Sequence, residues 1–133
     1  MTDSTASNDY AGVLTLLHHY AEGLWRADAD ALREAFSASA RYATLQDGAL
    51  LELGMDEYLP RVARRTPPRE QGDPLEYTVD GIDFAGPDTA LARLRCSFFG
   101  FDYVDLLTLL RLEGRWRIQS KVFHATPVAG KGA

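Results

Sequence analysis

TALARLRCSFFGFDYVDLLTLLRLEGRWRIQSKVFHA, residues 89–125, is the stretch that decides the fold. Apolar and polar side chains alternate through it, and small breaks cut it into segments at 89–99, 102–112 and 115–125. Alternation with a period of two marks strands with one buried face. The breaks, Gly100-Phe101 and Glu113-Gly114, are short enough to demand antiparallel hairpins. Upstream, segment 75–84 reads as another strand, ended by Gly86-Pro87-Asp88.

The turns set a register. A turn at Gly100-Phe101 pairs Phe98 with Tyr103, Cys96 with Asp105 and Leu94 with Leu107. A turn at Glu113-Gly114 pairs Arg111 with Trp116, Leu109 with Ile118, Leu107 with Ser120, Asp105 with Val122 and Tyr103 with His124. One face then carries Ala92, Leu94, Cys96, Phe98, Tyr103, Asp105, Leu107, Leu109, Trp116, Ile118, Ser120, Val122 and His124. It is mostly apolar and needs covering helices. Asp105 and His124 become diagonal neighbours at its polar end. A β-bulge in either strand would turn part of this face over. The opposite face mixes arginines with an apolar strip of Leu106, Leu110 and Phe123, which suits a second copy of the chain packed on the sheet.

The covering helices lie before this stretch. From Asp9 to about Arg26, Tyr10, Val13, Leu14, Leu17, Tyr20, Ala21 and Leu24 recur at helical spacing. Ser7 or Asn8 is the expected cap, and residues 1–8 the expected tail. Asp28 or Asp30 starts a second helix ending near Ser39, with Ala31, Leu32, Ala35 and Phe36 inward. Short strands follow at 41–45 and 50–53, around Gln46-Asp47-Gly48. Asp56 caps a third helix running to about Arg65, with Pro60 near its first turn, before Thr66-Pro67-Pro68 stops it. Residues 127–133 are expected to be a loose tail. Helices followed by hairpins predict an α+β domain with segregated layers, one domain over 1–133 with an ordered core at about 9–125.

Composition narrows the function. The 133 residues carry a net charge of −5, against the basic face expected of a nucleic-acid binder. Arg61, Arg64, Arg65 and Arg69 sit beside Glu57 and Glu70 and read as a solvated helix face. The single cysteine, Cys96, rules out an internal disulfide and paired-cysteine metal motifs. The N-terminus lacks a signal-peptide core, and no run approaches the roughly 18 apolar residues of a membrane span. A cytoplasmic protein with no nucleic-acid or membrane partner is expected. His18 and His19 are adjacent, so they cannot chelate as an i, i+4 pair, and no metal site is expected.

Asp105 has two readings. A carboxylate on an apolar face needs a partner. It either props the sheet by holding a hydroxyl, histidine or amide, or it orients His124 as an acid or base or takes that part itself. Tyr20 and Tyr103 would then orient a ligand oxygen. Cys96, Phe98, Phe36, Tyr42 and Trp116 complete the expected lining of a pocket for a small apolar molecule; core packing is the alternative for each.

Two motifs add a resemblance. Leu17-His18-His19-Tyr20-Ala21-Glu22-Gly23-Leu24-Trp25-Arg26-Ala27-Asp28 with Leu32-Arg33-Glu34-Ala35-Phe36, and the ending Asp105–Ile118 with Lys121-Val122-Phe123, resemble the nuclear transport factor 2-like superfamily. The ending is most similar to its putative lumazine-binding, SnoaL-like group. The resemblance implies a cone-shaped α+β barrel, with three N-terminal helices in a strongly curved, mixed, mainly antiparallel sheet around an internal cavity, and usually a homodimer through the sheet. It also implies cofactor-independent chemistry (isomerisation, cyclisation or dehydration) or plain ligand or protein binding. Tyr20 falls where ketosteroid isomerases place an oxyanion-hole tyrosine, whereas their general-base position is Thr44 here. The expected function is therefore small-molecule binding, with lyase, isomerase or cyclase activity on an apolar carbonyl compound. A non-catalytic dimeric interaction module is the alternative.

Overall fold

The computed structural model describes residues 2–128. Three helices, α1 (Thr2–Arg26), α2 (Ala29–Ala35) and α3 (Met55–Ala63), pack against six strands. The strands are β1 (Phe36–Gln46), β2 (Ala49–Gly54), β3 (Tyr77–Phe84), β4 (Thr89–Phe98), β5 (Phe101–Leu112) and β6 (Arg115–Pro127). Their order is β2-β1-β6-β5-β4-β3, antiparallel throughout except for parallel β1 and β6. The result is an α+β fold whose curved, mixed sheet stays open.

α1 begins at Thr2, so the tail expected over 2–8 is helical and neither Ser7 nor Asn8 stands at its start. The tail expected at 127–133 lies, beyond Val128, outside the described residues. Val13, Leu16, Leu17, Tyr20, Ala21 and Leu24 form the buried stripe, while Tyr10 and Leu14 of the expected stripe are exposed. Asp28 caps α2, its Oδ1 accepting from the Ala31 amide at 3.0 Å. α2 stops at Ala35 rather than near Ser39, and the chain turns directly into β1. α3 starts two residues earlier than expected, with Gly54 and not Asp56 at its cap, so Pro60 falls inside it.

Three hairpins share one device. Asp47-Gly48, Phe99-Gly100 and Glu113-Gly114 each have positive φ at both residues, the two-residue turn whose twist matches a strand pair. The β4–β5 turn is therefore Phe99-Gly100, with glycine second, and not Gly100-Phe101. Phe98 pairs with Phe101, Cys96 with Tyr103 and Leu94 with Asp105. The shift from the expected register is two residues, which conserves the faces of both strands.

The β5–β6 hairpin follows the expected register from Leu112–Arg115 to Leu109–Ile118, and then breaks. Thr108 pairs with Ser120, leaving Gln119 unmatched. Facing it, the β1–β6 register is also irregular between Phe36 and Arg41. Gln119 bridges this gap: its Oε1 accepts from Ser37 Oγ at 2.7 Å, and its Nε2 donates to Ser39 Oγ at 3.2 Å. One extra residue inverts the alternation beyond it. Lys121 and Phe123 turn inward, whereas Val122 and His124 turn outward. Both Lys121 and Phe123 thus leave the outer face on which the strict alternation had put them.

Candidate functional site

The bulge at Gln119 builds the polar centre of the core. Asp105 on β5, wholly buried, is flanked by Tyr20 from α1 and Lys121 from β6. Tyr20 donates its hydroxyl hydrogen to Asp105 Oδ2 at 2.6 Å, and Lys121 Nζ stands 3.9 Å from the same oxygen. The ammonium lies over three rings, with centroids 4.8 Å away in Phe123, 5.3 Å in Tyr20 and 5.4 Å in Tyr42. A lysine 5% exposed is tolerable because the carboxylate and the π-faces replace its hydration.

Two polar atoms of this centre remain unmatched. Among the described residues, Asp105 Oδ1 and the Tyr58 hydroxyl are the buried side-chain polar atoms without a hydrogen-bond partner. A buried group left in that state costs about 1–3 kcal/mol, so each calls for a specific reason, such as a bound water, a ligand or a catalytic role. Tyr58, on α3, stacks on Tyr42 with centroids 4.5 Å apart and meets Phe36 edge-on at 5.8 Å.

Beside this centre lies a cavity of about 20 Å³, lined by Leu24, Tyr42, Arg65, Cys96, Phe98, Phe99, Tyr103 and Lys121. It holds one water-sized group. The sequence led to the expectation of a roomier interior. The core rings fill that space instead: Tyr20, Phe36, Tyr58 and Phe98 are all buried. Tyr42 and Tyr103 also line a larger hollow of about 520 Å³ at the open end of the sheet, with Thr44, Leu51, Phe123 and His124. These two tyrosines form the wall between cavity and hollow.

Burial and then the Asp105 carboxylate push the Tyr20 hydroxyl well above its ordinary 10.0. The same two causes lift the Cys96 thiol from 9.0 to about 12, against a weaker pull from Lys121. For Lys121, burial opposes the charge, but Asp105 and then Tyr58, Tyr42 and Cys96 outweigh it and raise the pKa above 10.5. At neutral pH the centre therefore holds a neutral Tyr20, an inert Cys96 thiol and a Lys121 ammonium.

The residues singled out from the sequence separate into groups. Asp105, Tyr20, Cys96, Phe98, Tyr42 and Tyr103 converge at or beside the cavity. Phe36 lies behind it, edge-on to Tyr20 at 5.9 Å. His124 does not join Asp105: it is exposed, opposite Val104, on the other side of the sheet. Trp116 is remote, against Phe84 and under Arg111, in a groove with Gly12 and His19. Thr44 donates to the Phe123 carbonyl at 2.6 Å. Lys121, Tyr58 and Arg65 escaped the sequence reading. Tyr58 had a signal, since Met55, Tyr58, Leu59 and Val62 share one helical face. Lys121 had none, because its inward turn depends on the bulge.

Among the described residues, no three His, Cys, Asp or Glu side chains gather to hold a metal ion, and no helix is long and apolar enough to cross a membrane.

The model of a family described as putative lumazine-binding matches residues 8–124. Aldolase FrzH of Cladobotryum sp is 24% identical over 129 residues, spanning 96% of this chain and 99% of that protein. An NTF2-like protein of unknown function from Shewanella baltica OS155 superposes with a TM-score of 0.81 at 27% identity, covering 92% of this chain and 97% of that one. A domain of unknown function with a cystatin-like fold from Nostoc punctiforme PCC 73102 superposes at 0.66 with 15% identity, over 94% and 82% of the two chains.

Proposed function

The chain belongs to the putative lumazine-binding family of NTF2-like proteins, and from that premise we propose that it binds a small carbonyl compound and moves a proton at the carbon next to the carbonyl. The observation that carries this reading is the unmatched Asp105 Oδ1, buried between Tyr20 and Lys121 beside the cavity. Tyr20 is committed to Oδ2, so it orients the carboxylate instead of meeting the ligand. Oδ1 keeps its lone pairs free for a proton. Lys121 and the free Tyr58 hydroxyl supply donors for the oxygen on which negative charge develops.

The step balances without a cofactor. Asp105 takes a proton from the α-carbon, the electron pair of that C–H bond forms the new C=C bond, and the C=O π pair moves onto oxygen, giving an enolate held by Lys121. Reprotonation at carbon completes an exchange or isomerisation. Attack of the enolate carbon on an aldehyde makes a carbon–carbon bond, and Asp105 returns its proton to the new alkoxide. The 24% likeness to a protein named as an aldolase favours this second course. The cavity admits the reacting carbonyl, while the rest of the ligand lies in the hollow beyond Tyr42 and Tyr103.

Loss of the α-hydrogen signal of phenylacetone in D2O, followed by NMR, tests the reading. Wild type should exceed the buffer rate, and Asp105→Asn should lower the excess by about a hundredfold or more, within the range contributed by a general base. Exchange at the buffer rate, or unaffected by Asp105→Asn in a folded variant, would overturn it.

A second reading rests on the outer face, where Leu91 (41%), Leu106 (40%) and Val122 (50%) are exposed. Such a patch suits a homodimer through the sheet. With so small a cavity, the chain then acts as a non-catalytic, cytoplasmic interaction module of one domain.

A further inference from the structure

We infer that the ligand is an anion, the carboxylate of an oxo acid, and that Arg65 is its charge partner. The inference rests on the carbonyl-binding reading and adds the ligand's charge to it.

The cavity wall carries two fixed cations, Arg65 and Lys121. Lys121 has its counter-charge in Asp105, 3.9 Å away. Arg65 has none: among the described residues no carboxylate stands within ion-pair distance of it, and of the arginines of which this is true it is the one that lines the cavity. Its guanidinium rests instead over Phe99 at 5.3 Å and Tyr58 at 5.7 Å. Two rings hold its plane in place without using its five N–H donors. With the pair Lys121–Asp105 neutral overall, the cavity keeps one unit of positive charge, and a partly desolvated cation favours an anionic partner.

The surroundings are shaped for this. Arg65 lies just past Arg64, the C-cap of α3, its amide bonded to the Val62 carbonyl at 3.0 Å, and Thr66-Pro67-Pro68 fixes the chain beyond. Phe99 holds φ at 60°, a left-handed conformation that costs an aromatic residue energy in a turn where Asn or Asp is usual. The turn sets the Phe99 ring against the guanidinium. A carboxylate on half-buried Arg65, at the outer rim of the cavity, with an adjacent carbonyl reaching buried Lys121 inside it, describes an oxo acid. Neutral ketones lack the first contact.

An NMR titration with phenylpyruvate and with 3-methyl-1-phenylbutan-2-one, in which isopropyl replaces the carboxylate, tests the inference. Wild type should bind the acid about tenfold or more tightly than the ketone, the worth of a charge-assisted bond. Arg65→Met should abolish the preference by weakening the acid alone, Arg65→Lys should keep part of it, and Arg64→Met, a change at an exposed neighbour, should leave it intact. Equal affinities in wild type, a preference that survives Arg65→Met, or binding of neither probe at millimolar concentration would overturn it. Acid preference without catalysed exchange in phenylacetone or at the CH2 of phenylpyruvate would instead overturn the proton-transfer reading and leave the anion site standing. Exchange with equal affinities would do the reverse.

Discussion

At the residue scale, two polar neighbours and its burial define Asp105. Tyr20 fixes its orientation, Lys121 fixes its charge, and burial makes both interactions strong. The pair is costly to break from one side, because the remaining charge stays buried. Lys121→Met should therefore lower stability by about 3–5 kcal/mol, and Asp105→Asn by a similar amount. The double variant should lose less than the sum, as both charges are gone. Urea denaturation of all four proteins closes the cycle. Additive losses would mean that the two groups do not interact and that Lys121 is held by its aromatic rings alone.

At the element scale, one bulge decides which side chains of β6 enter the site. Gln119 is pinned by Ser37 and Ser39, where β1 is itself irregular. Gln119→Ala removes both bonds and should cost about 1–3 kcal/mol, with the urea midpoint falling and the slope unchanged. An unchanged midpoint would show that the main chain holds the bulge without the side chain. Strict alternation put Val122 inward and Phe123 outward. Both are apolar, so neither assignment offends the hydrophobic pattern, and the inversion is silent in composition. The β4–β5 turn was misplaced for a related reason: Phe99 is an unusual occupant of a left-handed position, and the glycine beside it attracts the turn's first place.

At the scale of the whole molecule, the open sheet presents Leu91, Leu106 and Val122 to solvent on the face away from the helices. The proposed dimer predicts that wild type sediments as a dimer at micromolar concentration, and that Leu106→Arg sediments as a monomer with its far-UV spectrum unchanged. Leu106 is 40% exposed in the single chain, so the arginine has room to reach water without disturbing the core. A monomeric wild type would remove the interaction module as the second reading and leave the cavity chemistry untouched.

The alternation in 89–125, the helical stripe around Tyr20 and the X-Gly turns sufficed to specify the layers, the antiparallel hairpins and the inward placement of Tyr20 and Asp105. These are local properties: periodicity selects the element, and burial follows from periodicity. The company Asp105 keeps was a tertiary decision. Lys121 replaced His124 through a bulge set by two serines some 80 positions away in the chain. Arg65 left an exposed-looking basic cluster for the cavity wall because its guanidinium settles over the rings of Phe99 and Tyr58. No local pattern records such long-range matches, since their energy exists only once the strands and helices have met.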